Sequence, residues 1–184
     1  MKQTAQRLAL KKARLQKNEG FTLVELLVVI AIVAILAAVV VLSVNPLELT
    51  RRGRDATRIS DLANLQTAIN VAVQEATTSG AAILCTPPAS APCAGDSLAG
   101  TRASNGTGWV KVNLSAQKSV SVPTLPIDPI NTAPYIYSYA TNAAGDAWEI
   151  DAVLESDQQS PRMTTDGGSN VAVYEVGSDL TIVQ

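Results

Sequence analysis

From Leu26 to Leu42 the chain reads LLVVIAIVAILAAVVVL, 17 consecutive apolar residues, and no charged side chain falls between Glu25 and Glu48. As a helix, residues 21–44 would extend ~36 Å, enough to cross a hydrocarbon core of about 30 Å. A membrane span is the direct reading. A secretory signal peptide has a shorter apolar region ending at a small-x-small site, and no Ala-x-Ala occurs in this run. A buried core helix is the other alternative. Lys2, Arg7, Lys11, Lys12, Arg14 and Lys17 precede the span against Glu19 alone, while Arg51, Arg52, Arg54 and Arg58 follow it. The excess of preceding cations favours a cytoplasmic N-terminus, modestly.

The rest of the composition removes whole classes of function. There is no His, which takes away the commonest general base and zinc ligand, and two Cys cannot fill a four-thiolate site. No phosphate loop of the GxxxxGK[ST] kind is present, and no nucleophile with its base is recognisable, so an enzyme is not expected. Beyond residue 20 the chain carries 8 basic and 15 acidic side chains, which makes nucleic acid a poor default partner. Cys85 and Cys93 flank TPPASAP, a spacing suited to a small disulfide loop in an oxidising compartment, with two buried thiols as the alternative.

Glu25 conflicts with the hydropathy around it. A carboxylate at the apolar end of a membrane helix costs a few kcal/mol unless it is paired. One solution is that it snorkels to the headgroups. The other is proteolysis between Gly20 and Phe21, which creates an α-amine that a neighbouring copy's Glu25 could meet, so that lateral association removes the penalty. The segment KNEGFTLVELLVVIAIVAILAAVV, residues 17–40, closely resembles the class III signal of type IV pilins and pseudopilins: a basic leader, Gly, then Phe-Thr-Leu-Val-Glu and an apolar helix. The resemblance implies cleavage after Gly20 by a prepilin peptidase, N-methylation of Phe21, and a role for Glu25 in aligning subunits within a filament. It also implies a pilus assembly platform, a separate motor ATPase, and a subunit that is membrane-inserted before assembly. After assembly the subunit would lie in an extracellular pilus or an envelope-spanning pseudopilus.

The expected organisation is a leader over residues 1–20, a transmembrane or filament-core helix over 21–44, a kinked amphipathic helix over 45–78 and a globular domain over 79–184. Asn45-Pro46 should break the first helix and Gly53 weakens the chain again. Helix is expected to resume from Asp55 to Thr77, where Ile59, Leu62, Leu65, Ile69, Val73 and Ala76 recur at three- and four-residue steps. That stripe needs a partner. Alternation at residues 110–114, 135–140 and 147–154, with VAVYEV as a fourth segment, predicts a small antiparallel sheet covered on one face. The fold class is therefore α+β, a long N-terminal helix packed on a small antiparallel sheet, as in type IV pilins. Prolines at 123, 126, 129 and 134 exclude regular structure between the first two strands, and the Leu-Pro-x-Asp-Pro order there resembles major pseudopilins and some Gram-positive-type pilins. No cofactor is expected. Asp157, Asp166, Asn170 and Asp179 form an oxygen-rich region of a kind that can hold Ca²⁺, but their spacing matches no EF-hand loop and solvated turn residues are the preferred reading. Tyr135, Tyr137 and Tyr139 with Trp109 and Trp148 read first as sheet packing rather than as a binding face. A membrane-anchored binding protein is the function of a different class that this pattern leaves open.

Overall fold

The computed structural model describes residues 20–43, 45–77 and 80–183, so the basic leader ahead of Gly20 lies outside the described residues. The chain divides into two compact units, residues 1–45 and 46–184. In the first, helix α1 spans Leu23–Ser43. Its segment Leu23–Val41 has a mean hydropathy of 3.2 and none of it is buried. A helix that is apolar on every side has no polar face to turn to water, which is the pattern of a membrane span or of a helix surrounded by copies of itself.

The second unit begins with α2, Pro46–Glu75, 30 residues long. Proline is tolerated at this first position because its missing N–H would have no intrahelical partner there. Helix therefore resumes nine residues before the expected Asp55 and runs unbroken through Gly53. The cost of a mid-helix glycine, about 1 kcal/mol, is offset by the packing and ion pairs of the flanking turns. A short helix α3, Gly80–Leu84, follows, then the strands β1, Ala94–Asp96, β2, Tyr137–Thr141, β3, Trp148–Ala152, and β4, Tyr174–Gly177, with a 3-10 turn at Ser160–Thr164 between the last two strands. The sheet is an antiparallel meander in the order β1-β2-β3-β4.

The core lies between α2 and one face of this sheet. Leu62, Leu65, Ala68, Ile69 and Ala72 from the helix meet Tyr137, Tyr139, Trp148, Ile150 and Ala152 from the strands, and Trp109, Val110, Val112, Leu114 and Leu125 fill the rest. The tyrosine and tryptophan side chains are packing groups: Tyr137, Tyr139, Trp109 and Trp148 are all buried, with the Tyr139 hydroxyl donating to the Leu84 carbonyl and Trp109 Nε1 to the Pro126 carbonyl. Cys85 and Cys93 are joined as a disulfide against this core.

Two expectations are corrected. Residues 110–114 are not a strand. Val110, Val112 and Leu114 are fully buried as their alternation implied, but their backbone groups serve the neighbouring turns, with the Lys111 carbonyl accepting from Thr86 N and Leu114 N donating to the Ser104 carbonyl. The edge beside β2 is taken instead by Ala94–Asp96 from the cysteine loop. Nor is the sheet covered on one face only. All five residues of β3 are buried, including Glu149 and Asp151, which point away from the core.

Candidate functional site

The signal residues sit at the start of α1. Gly20 and Phe21 are exposed and precede the helix. A Cβ on Gly20 would meet nothing within 4 Å, so the fold itself makes no demand for glycine at that position. Thr22 caps the helix. Its Oγ1 accepts from the Glu25 backbone N–H at 3.2 Å, and Glu25 Oε2 accepts from Thr22 N at 2.9 Å and from Thr22 Oγ1 at 2.8 Å. This is a reciprocal capping box, in which each residue satisfies a helix-terminal amide of the other. The isolated subunit thus gives Glu25 a partner in cis, a solution that neither snorkelling nor an intermolecular amine supplies. The Thr-x-x-Glu spacing in Phe-Thr-Leu-Val-Glu was the available signal.

In the second unit the α2 stripe continues beyond its apolar part. Stepping back from Ile69, Leu65 and Leu62 by the same alternation of three and four residues lands on Arg58 and Asp55, both fully buried. Ile59 is half-buried and Val73 exposed, so the buried face lies one residue away from the expected stripe at both ends. Arg58 donates from Nε and Nη2 to both oxygens of Asp128, at 2.6 and 3.0 Å, and from Nη1 to Asp55 at 2.8 Å and Glu155 at 2.7 Å. Arg54 makes a second two-point contact to Glu155, at 2.6 and 2.7 Å. The Asp55 carboxylate accepts the backbone N–H groups of Glu155 and Ser156, and Glu48 accepts that of Asp157. The Arg58 guanidinium also lies 5.1 Å from the Tyr135 ring centre. Hydrogen bonds from Arg54, joined by those from Arg58, hold the Glu155 carboxyl down at about 2 against the opposing effect of burial. The arrangement fastens the first turns of α2 to the Leu-Pro-x-Asp-Pro loop and to the segment following β3.

The four residues weighed for Ca²⁺ are not brought together as ligands. Asp166 accepts Gly168 N and Glu175 N, Asn170 Oδ1 accepts Ala172 N, and Asp179 closes a turn on Thr181. Among the described residues no group of three or more His, Cys, Asp and Glu side chains is arranged to hold a metal ion.

An exposed apolar helix opened by a Phe-Thr-x-x-Glu cap and followed by a small α+β unit supports a membrane-anchored precursor. Residues 15–41 match the family described as the prokaryotic N-terminal methylation motif, which supports a precursor similar to type IV pilins and pseudopilins. No curated protein and no solved structure matches the chain.

Proposed function

We propose that the chain is a structural, non-enzymatic subunit that is cut between Gly20 and Phe21 by a prepilin peptidase, methylated on the new Phe21 amine and polymerised with itself into a helical filament. Identical contacts that do not close generate such a fibre. The observation that carries the reading is the methylation motif over residues 15–41. The exposed apolar surface of α1 supports it, because that surface needs lipid before assembly and other copies of α1 afterwards. An assembly platform in the membrane and a separate motor ATPase would drive the transfer, and the filament would serve adhesion, motility or DNA uptake outside the cell.

The capping box gives the assembly step a concrete form. In the membrane, Glu25 is held by Thr22 of its own chain; on docking, the charged amine of a neighbouring Phe21 offers a stronger, charge-assisted partner. The exchange leaves the Thr22 hydroxyl capping the helix and uses the carboxylate between chains. The second reading is a pseudopilus of a secretion system; the loop at residues 125–129 resembles those of major pseudopilins and of some Gram-positive-type pilins alike.

Intact mass and N-terminal sequencing of the protein from sheared surface filaments and from membranes of its host test the proposal. A chain starting at N-methyl-Phe21 in both fractions is the expected result, and filament in quantity on the cell surface favours the pilus over the pseudopilus. A chain starting near Met1 in both fractions, or one cut beyond Val44, would overturn it in favour of a membrane-anchored binding protein. Glu25→Leu should still be cleaved and inserted but should not enter filaments.

A further inference from the structure

The outer face of the sheet holds three buried carboxyl groups, none of them in an ion pair among the described residues. Glu149 and Asp151 point to this face from β3, and Glu175 lies opposite Asp151 on β4. They are 0%, 4% and 2% exposed. Glu149 Oε1, Asp151 Oδ2 and Glu175 Oε1 are each buried without a hydrogen-bond partner. The other groups packed against them are Ser138 on β2, opposite Asp151, and Asp166, which accepts Glu175 N.

What buries them is a flap made of two segments on either side of β4. Residues 166–173 precede the strand, with Asn170 N donating to Glu175 Oε2 at 3.1 Å. Gly168 lies so close to the Glu175 carboxyl that a Cβ there would collide with it. Residues 178–183 follow the strand, and Ile182 N and Val183 N both donate to Glu149 Oε2, at 2.9 and 3.0 Å. Ser169 N donates to the Leu180 carbonyl at 3.0 Å, which ties the two segments into one cover.

Two ionised carboxylates cannot remain adjacent in a site closed to water. Glu149 and Glu175 share this face on neighbouring strands, and each has a buried oxygen without a hydrogen-bond partner; among the described residues no group of three or more His, Cys, Asp and Glu side chains is arranged to hold a metal ion. A proton on one of the two carboxyls removes one of the like charges and turns an unpartnered oxygen into a donor. We propose that Glu149 and Glu175 form a proton-loaded latch. With that proton in place the flap lies closed on the sheet; when it is lost, two like charges demand water and the flap lifts. The subunit would then present a different surface in alkaline surroundings than in neutral or acidic ones. Burial, together with the contact to Glu175, pushes the Glu149 carboxyl up to about 7, although the two tail N–H groups act in the opposite direction. The latch therefore sits where modest changes of external pH reach it.

The test is amide hydrogen exchange on the full chain in detergent micelles, read as protection factors corrected for intrinsic rates. For Asn170, Ile182 and Val183 these should be flat below about pH 4.5, fall by up to about tenfold per pH unit between there and about pH 7, where the closed flap keeps a proton that the open one has released, and level off above. The Ile150 and Tyr139 amides should not follow. Glu175→Gln removes the neighbouring carboxyl but not the burial of Glu149, so the falling range should narrow, and Glu149→Gln should narrow it further, to what Asp151 contributes. Both variants can be checked for folding by the fluorescence of the buried Trp109 and Trp148. A flat wild-type profile, or a Glu175→Gln profile that titrates like the wild type, would overturn the latch. So would protection in alkali restored by millimolar Ca²⁺ and removed by chelator, because the orphan oxygens would then belong to a cation.

Discussion

The globular unit buries carboxylates in two places and treats them in opposite ways. At the base of α2, Asp55, Asp128 and Glu155 surround Arg58, and every contact is a charge-assisted hydrogen bond. On the outer face of the sheet, Glu149, Asp151 and Glu175 are equally hidden but have no cation among the described residues. The first cluster is held together by its charges and the second only by the absence of some of them. The difference separates a fixed joint from an element able to respond to solution conditions, and it is open to attack from either side.

The largest effect is expected from removing Arg58, the fully buried cation at the centre of the first cluster. Arg58→Met keeps most of the side-chain volume but leaves Asp55 and Asp128 buried without their partner. Breaking a buried pair in this way costs about 3–5 kcal/mol. Thermal unfolding of the full chain in micelles, followed by Trp109 and Trp148 fluorescence, should show a large loss of stability at neutral pH that shrinks in acid as the stranded carboxylates take up protons. A loss below about 1 kcal/mol would mean that the network is decoration on a joint held by apolar contacts.

The two clusters should also pull stability in opposite directions along the pH axis. Glu155 is held at about 2 in the folded chain against an ordinary 4.5, so its contribution is complete above the ordinary value and is lost as pH falls toward about 2. Glu149, at about 7, and Asp151, which burial pushes up to about 6, are raised. Their contribution is complete below the ordinary carboxylate range and is lost as pH rises through about 6 to 7. Unfolding free energy measured against pH should therefore peak in mild acid, near pH 4 to 5, rather than at neutrality. A maximum at pH 7 or above would contradict the absence of a partner on the sheet's outer face.

These clusters also mark where the sequence was legible. The membrane helix, the methylation signal and the tyrosine strands announce themselves through composition and period, because lipid contact and sheet packing act on hydropathy directly. Arg58 and Asp55 do not: apolar periodicity runs on to Ile59, one residue off the buried face, and only extending the Leu65–Leu62 spacing through charged residues reaches them. Glu149 and Asp151 read as solvent-facing because alternation along β3 cannot reveal that residues some thirty positions later fold over them. Strand β1 was hidden for a different reason, since a three-residue edge containing Gly95 inside a cysteine loop has no periodicity to detect. The Thr22–Glu25 box was readable and was overlooked because the carboxylate was considered only as a membrane liability.

A smaller change sharpens the contrast on the sheet side. Asp151→Asn replaces a buried acid, one oxygen of which has no partner, by a neutral group able to donate toward Glu175. It should stabilise the full chain by on the order of 1 kcal/mol at pH 8, where the wild type must ionise or hold a proton at a cost. The gain should shrink as pH falls and vanish only below about pH 4, where the wild-type carboxyl is protonated in the folded and unfolded chains alike. The same kind of substitution in the first cluster, Asp128→Asn, should destabilise at pH 8.

The smallest effect belongs to the ring beneath the guanidinium. Tyr135→Leu removes the aromatic face 5.1 Å from Arg58 while leaving all four of its hydrogen bonds to Asp55, Asp128 and Glu155 in place. A cation over a ring is worth about 0.5–1 kcal/mol at a partly exposed site, several-fold less than the loss expected for Arg58→Met. The ratio of the two losses is the informative quantity. If Tyr135→Leu costs as much as Arg58→Met, the joint depends on stacking a planar cation against an aromatic surface, and the carboxylates are there to solvate it. If the ratio is small, pairing between Arg58 and its acids fastens α2 to the sheet domain, and the missing cation is what leaves the sheet's outer face free to move.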